Sequence, residues 1–249
     1  MKHDLAHGGA RSRGAAAPPS IAPTAVRPRA AALADIPMRA DRRLLDILVA
    51  TAGLAAFAPL LPVLAVAIKL DSPGPVFFSQ ERIGLERRRR RRRRPGPERR
   101  RSMVPGRPFR VWKLRTMAVD AERDGPRLAA VGDPRVTRVG RVLRHMRLDE
   151  VPQFWNVLRG EMSVVGPRPE RLCFIRQLES EIPYYRDRLL VRPGITGLAQ
   201  IENGYDTDLG SVRRKVALDR RYIAEAGWWT DVKILVRTVG VVLRGSGAR

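Results

Sequence analysis

The sequence predicts a mainly helical α+β fold, and three observations carry that expectation. The segment from Ile47 to Ile68 contains no charged residue. Phe109-Arg110-Val111-Trp112-Lys113-Leu114-Arg115 alternates apolar and basic side chains, the period of two that marks a half-buried strand. From Val139 onward the chain breaks into helix-length stretches separated by Pro and Gly.

Residues 1–38 are rich in Ala, Pro and Arg and lack the apolar core of a secretory signal, so they read as a disordered arm. A helical segment, 39–71, follows. At 1.5 Å per residue its roughly 22 uncharged positions extend about 33 Å, enough to cross a bilayer core. Arg42 and Arg43 precede these positions and Lys69 follows them, which favours both ends on the cytoplasmic side. Pro59 and Pro62 fall inside. A proline lacks the N–H that the carbonyl four residues back requires, so the carbonyls of Ala55 and Ala58 are freed and the helix bends. Freed carbonyls are costly in lipid. A kinked span and a re-entrant hairpin that returns to its own face both answer these constraints. Asp46 lies within helical reach of Arg42 and Arg43 and is expected to pair with them locally.

Residues 72–249 read as one further domain. Ser72-Pro73-Gly74-Pro75 is a turn and Val76-Phe77-Phe78 a short strand. A basic insert, 86–105, then carries Arg87 to Arg94 and Arg99 to Arg101; like charges at that density repel, so a solvated loop is expected. On the strand that follows, Lys113 and Arg115 share a face. Asp120 to Arg127 is a polar helix or loop, and Asp133-Pro134 a turn. Helices are expected over 139–147, 152–159 (Pro152 at its first position, Gly160 its stop), 170–181, 209–226 and 231–243. A short strand at 161–165 and a turn-rich loop at 190–200 lie between them. Trp228 and Trp229, at the head of the last helix, suit a membrane interface; packing in a core is the alternative.

Lys and Arg number 48 against 25 Asp and Glu, a net charge of +23. Such a balance points to acidic partners: nucleic acid, anionic lipid or a phosphorylated substrate. Much of the excess sits in the insert, so charge alone does not choose among them. The single cysteine, Cys173, excludes an intramolecular disulfide and reads as an inert buried thiol.

The chemistry concentrates at Arg147-Leu148-Asp149-Glu150-Val151-Pro152 and at Gly166-Pro167-Arg168-Pro169. Adjacent residues on a helix point about 100° apart, so Asp149 and Glu150 are suited to different tasks. An ionised carboxylate is a credible nucleophile toward phosphorus. Neighbouring carboxylates raise each other's pKa, while Arg144 and Arg147 counter that. With only hard oxygen ligands at hand, Mg²⁺ is the natural metal. The prolines flanking Arg168 present its guanidinium as a pre-set fork for phosphate. His145, four residues before Asp149, is in helical register to pair with it. An exposed helix cap and a polar surface turn are the plainer readings of the two motifs. There is no Rossmann fingerprint, Walker loop or zinc spacing.

Four blocks in this order, Arg42–Gly84, Gly106–Met117, Asp133–Glu170 and Val191–Gln200, resemble the bacterial sugar transferases, the monotopic phosphoglycosyl transferases. The resemblance covers about residues 41–245. It implies transfer of a sugar 1-phosphate from a UDP-sugar to polyprenyl (undecaprenyl) phosphate with release of UMP, initiating exopolysaccharide or related glycan assembly. Asp149 matches the nucleophile that forms a covalent phosphosugar intermediate. Glu150 matches its acidic partner, and the pair is tied to Mg²⁺. Arg168 matches a phosphate-binding arginine, Lys113 and Arg115 a basic element near the active site, and Arg192 of the last block is a further candidate for binding phosphate. Pro59 matches the proline that breaks the membrane helix, although Ala58 stands where relatives usually carry Ser.

The implied architecture is a re-entrant membrane helix plus a small catalytic domain with interfacial helices. That domain faces the cytoplasm from the inner membrane, in a minimal form without the extra N-terminal domain of larger relatives. Anionic lipid of the inner leaflet would attract the insert at about 1 kcal/mol per basic residue. The rival reading is a membrane-anchored nucleic-acid-binding protein that uses the arginine run, with steeply salt-dependent binding; on the family reading no nucleic acid partner is expected.

Overall fold

A computed structural model of the chain describes residues 40–86, 104–123, 125–127, 132–203 and 208–244. The N-terminal arm and the arginine run lie outside the described residues. The fold is mixed and mostly helical, as expected. Two helices, α1 (Ala40–Phe57) and α2 (Leu61–Asp71), meet at a 64° bend. No single helix is long and apolar enough to cross a membrane, but the bent pair together has that length and composition. The bend is where Pro59 and Pro62 place it. The Ala58 carbonyl, denied its ordinary partner by Pro62, accepts from the Leu61 N–H at 3.3 Å, and the Phe57 carbonyl from Leu60 at 3.0 Å.

One side of the pair is built into the domain. Ala50 of α1 is fully buried with Phe109, Val111, Val157, Met162 and Val164. Gly53 lets the Phe154 ring lie against the helix; a Cβ there would fall 2.5 Å from that ring. Phe57 and Ile68 pack with Leu114 and Leu143, each burial stabilising by roughly 1.5–3 kcal/mol. The other side is bare: Leu44, Leu48, Val63, Val66 and Leu70 are exposed, Leu70 by 83%.

The expected local pairing of Asp46 is replaced by longer ties. Asp46 accepts from Ser163 Oγ and the Val164 N–H, both at 2.8 Å. Arg42 Nε donates to Asp231 at 2.6 Å and Nη2 to the Tyr222 hydroxyl. Arg43 donates to the carbonyls of Val157 and Leu158 at 2.6 and 2.8 Å. In a structure these partners outcompete a solvated pair on one helix, because they would otherwise be buried unsatisfied.

Strand β1 (Phe77–Ile83) runs antiparallel to β2 (Pro108–Leu114), Phe77 opposite Leu114. It is longer than the apolar run alone suggests, since backbone pairing carries it through Gln80-Glu81-Arg82. Helix α3 (Arg138–His145) is capped by Thr137 Oγ1, which accepts from the Gly140 N–H at 3.0 Å. Helix α4 (Gln153–Leu158) follows Pro152 and ends before Gly160 at φ 75°. Strand β3 (Ser163–Val165) leads through the Pro-Arg-Pro turn to α5 (Leu172–Glu181). The segment expected as a turn-rich loop holds instead β4 (Gly194–Thr196), parallel to β3, and α6 (Leu198–Glu202). Gly194 is there for close approach: a Cβ would sit 2.1 Å from the Gly166 nitrogen. Helices α7 (Leu209–Glu225) and α8 (Trp228–Leu243) complete the chain. Trp228 and Trp229 stack at 5.8 Å and are exposed, which removes the core reading. Cys173 is exposed, not buried, because it lies on the outer side of α5 while Ile175 fills the core.

Candidate active site

Three elements converge on the carboxylate pair. Helix α3 ends at His145, and Arg147 then adopts φ 58°, a left-handed turn that redirects the chain. A single 3₁₀ turn, Leu148–Glu150, carries Asp149 and Glu150, both buried. The exposed-cap reading therefore does not hold. The left-handed residue also breaks the helical register between His145 and Asp149, and His145 lies exposed. The second element is β2, whose penultimate residue is Lys113. The third is the turn at Pro167-Arg168-Pro169.

Glu150 is gripped on two sides. Arg168 Nη2 donates to Oε1 at 2.6 Å and Nη1 to Oε2 at 3.4 Å, while Lys113 Nζ donates to Oε1 at 2.8 Å. Burial works to raise the Glu150 pKa, but the Arg168 guanidinium and the Lys113 ammonium outweigh it and hold the group well below the usual carboxylate range. Asp149 is treated differently. Among the described residues none donates it a hydrogen bond, and the one cation within 4 Å is Lys113 Nζ, 3.9 Å from Oδ2. Burial pushes its pKa up; Lys113 opposes this and the Glu150 charge adds to it.

Arg144 joins the site. It lowers the Asp149 pKa and is steadied by Nε donation to Thr116 Oγ1 at 2.9 Å. The site thus sets three cations, Lys113, Arg144 and Arg168, around two carboxylates, an excess that suits a dianionic phosphate ligand.

Two expected phosphate-binding residues are placed elsewhere. Arg115, one residue beyond the end of β2, donates Nη2 to the carbonyls of Ser72 and Ile68 at 2.7 and 3.3 Å, and Nη1 to that of Pro73. It closes the C-terminal end of α2 and does not turn to the carboxylates. Arg192 lies beside Gly160, its Nη2 3.6 Å from where a Cβ would project, in a shallow depression with Gly84, Arg107 and Phe109. A third feature had no signal in the sequence: behind Arg168 buried Arg188, Lys215 and Asp219 group with the partly buried Glu170, contributed by segments up to 49 residues apart.

A family profile described as bacterial sugar transferase matches residues 38–245. The chain is 44% identical over 208 residues to the Aeromonas hydrophila protein named UDP-N-acetylgalactosamine-undecaprenyl-phosphate N-acetylgalactosaminephosphotransferase, covering 84% of this chain and 45% of that one. It is 43% identical over 211 residues to the Caulobacter vibrioides UDP-glucose:undecaprenyl-phosphate glucose-1-phosphate transferase, covering 83% of this chain and 71% of the other. The Escherichia coli protein of that same name is 42% identical over 214 residues, with 83% and 42% covered. The chain thus spans less than half the length of the Aeromonas and Escherichia relatives.

Proposed function

The chain belongs to the bacterial sugar transferase family, and from that premise we propose that it moves a sugar 1-phosphate from a UDP-sugar to undecaprenyl phosphate, releasing UMP, through a covalent intermediate on Asp149. The observation that carries the reading is the unequal treatment of the two carboxylates. Glu150 is committed to Arg168 and Lys113, while the Asp149 carboxylate keeps an oxygen for attack. That oxygen bonds to the sugar-bearing phosphorus as the bond from phosphorus to the UMP oxygen breaks. A phosphate oxygen of the polyprenyl acceptor then attacks the same phosphorus, and the acyl-phosphate bond breaks to restore the carboxylate. One diphosphate replaces another, so catalysis is chiefly positioning and charge neutralisation. Lys113, Arg144 and Arg168 supply the cationic surroundings.

Mg²⁺ fits this donor set. Two adjacent hard carboxylates, with no third His, Cys, Asp or Glu grouped with them among the described residues, match a metal completed by substrate phosphate and water. Asp149 would hold it together with Glu150 Oε2, which Arg168 Nη1 approaches only at 3.4 Å while Oε1 takes the two short cation contacts, and it would neutralise charge on the leaving phosphate. The bent α1–α2 pair, with its exposed aliphatic side, supports a re-entrant anchor in the cytoplasmic membrane that keeps the site near the lipid headgroups.

Because similar relatives are named for different sugars, the test uses membranes bearing the chain, undecaprenyl phosphate and a panel of UDP-sugars including glucose and N-acetylgalactosamine. UMP release is expected with at least one donor. Asp149→Asn is expected to give neither turnover nor a phosphosugar adduct by mass spectrometry; normal turnover by that variant sinks the assignment.

A further inference from the structure

We infer that Arg188 is a positioning residue for the proposed transfer: it fixes the backbone of the Pro167-Arg168-Pro169 turn and, through it, the guanidinium that grips Glu150. The inference rests on the function proposed above. Pro167 and Pro169 have no N–H, so the turn is anchored largely through its carbonyls. All three are engaged. The Pro167 oxygen accepts from the Gly194 N–H at 2.9 Å, the Arg168 oxygen from Arg188 Nη2 at 3.1 Å, and the Pro169 oxygen from Arg82 Nη1 at 3.1 Å. Only the middle bond falls on Arg168 itself.

Arg188 is in turn held on its other edges. Nε donates to Asp219 Oδ2 at 2.6 Å and Nη1 to the Tyr185 hydroxyl at 2.9 Å. Arg188 and Asp219 are both buried, and neither forms a hydrogen bond or ion pair with Asp149 or Glu150. A buried ion pair adds little net stability, because desolvation offsets its attraction. What a fixed Arg–Asp fork adds over an apolar pair is direction. Here that direction ends on the carbonyl of the residue whose own side chain closes on Glu150 at 2.6 Å. Lysine keeps the charge but not the fork, so it cannot satisfy Asp219 and the Arg168 carbonyl together.

The test measures UMP release by the full chain in membranes. Arg188→Lys is expected to lower kcat by about 10–100-fold, as small displacements of catalytic groups do, with KM for the UDP-sugar within about twofold. In an Arg168→Lys background the same change is expected to lower kcat by less than about twofold, because its effect runs through Arg168. Asp219→Asn, which leaves Arg188 in place but loosens its hold, is expected to reproduce the pattern at about 3–10-fold. A structure of Arg188→Lys is expected to show the Arg168 guanidinium withdrawn from Glu150. Unchanged kcat, full additivity with Arg168→Lys, or an undisturbed Arg168–Glu150 contact overturns the inference. Absence of UMP release by the unmodified chain with every donor would instead defeat the proposed function, while the structural measurement would still decide the role of Arg188.

Discussion

Burial acts on Asp149 and Glu150 alike, but their cations are shared unevenly, and the two should answer neutralisation differently. Glu150→Gln leaves Arg168 and Lys113 without their counter-charge. A cost of about 2 kcal/mol, or roughly 4–8 °C in thermal midpoint, is expected. The raised pKa of Asp149 means that its charge is held at a cost, so Asp149→Asn is expected to match or exceed the parent midpoint while abolishing activity. Calorimetry on the two variants at pH 7 checks both.

Glu170 gives a further handle. Burial opposes its charge, but Lys215, Arg188 and Arg82 overcome that and hold its pKa at about 2. A carboxylate depressed in the folded state contributes stability above its unfolded value near 4.5, and loses that contribution as pH falls toward about 2. The parent's midpoint is therefore expected to fall more steeply between pH 5 and pH 3 than that of Glu170→Gln. Motif reading singled out Asp149, Glu150, Lys113 and Arg168, which the fold brings together, because each sits in a local signature. Lys113 and Arg115 part company although backbone pairing continues through the Arg115 N–H to the Val76 carbonyl at 2.8 Å, because the Arg115 guanidinium is drawn to the carbonyls that end α2. The buried partners of Arg168 come from separate stretches, so no local pattern announces them.

At the scale of elements, α3 is the piece that links the bent α1–α2 pair to the 3₁₀ turn. Asp71, the last residue of α2, accepts from the Val139 N–H at 2.9 Å and so closes an open donor in the first turn of α3. Asp71→Ala is expected to cost about 1 kcal/mol, lowering the thermal midpoint by about 2–4 °C. Gly140 lets α3 touch the backbone beyond β2; a Cβ would lie 2.1 Å from the Thr116 carbonyl oxygen. Gly140→Ala is expected to cost about 1–3 kcal/mol through forced separation, despite the better helix propensity of alanine. Both are read by thermal denaturation. The helices other than α6 were legible because they are long enough to show an apolar period and most of them stop near a Pro or Gly. Strand β4 was not, because three residues are too few to show a period, and Gly194 looks the same in a turn as in a close backbone crossing.

For the whole molecule, the proposed re-entrant anchor fixes which side each end of the bent pair faces. With the exposed Cys173 replaced by Ser, single cysteines at Asp41→Cys and Leu70→Cys are both expected to react with a membrane-impermeant maleimide from the cytoplasmic side only. Reaction from opposite sides would mean a kinked span. Deletion of residues 87–101 is expected to leave substantial UMP release; its loss, together with salt-sensitive binding to nucleic acid, would favour the rival role for the arginine run.

The ties made by Arg42, Arg43 and Asp46 bear on any attempt to obtain a shortened form of the chain by amputation. Removing the two leading helices would strip a counter-ion from Asp231, a carboxylate from Ser163 and Val164, and the lid from a seat lined by Phe109, Val157 and Met162. The remnant would carry an open oily socket and is expected to clump. Repainting the outward-facing leucines and valines with polar side chains, while leaving the first two helical turns intact, is the route to solubility that this arrangement permits.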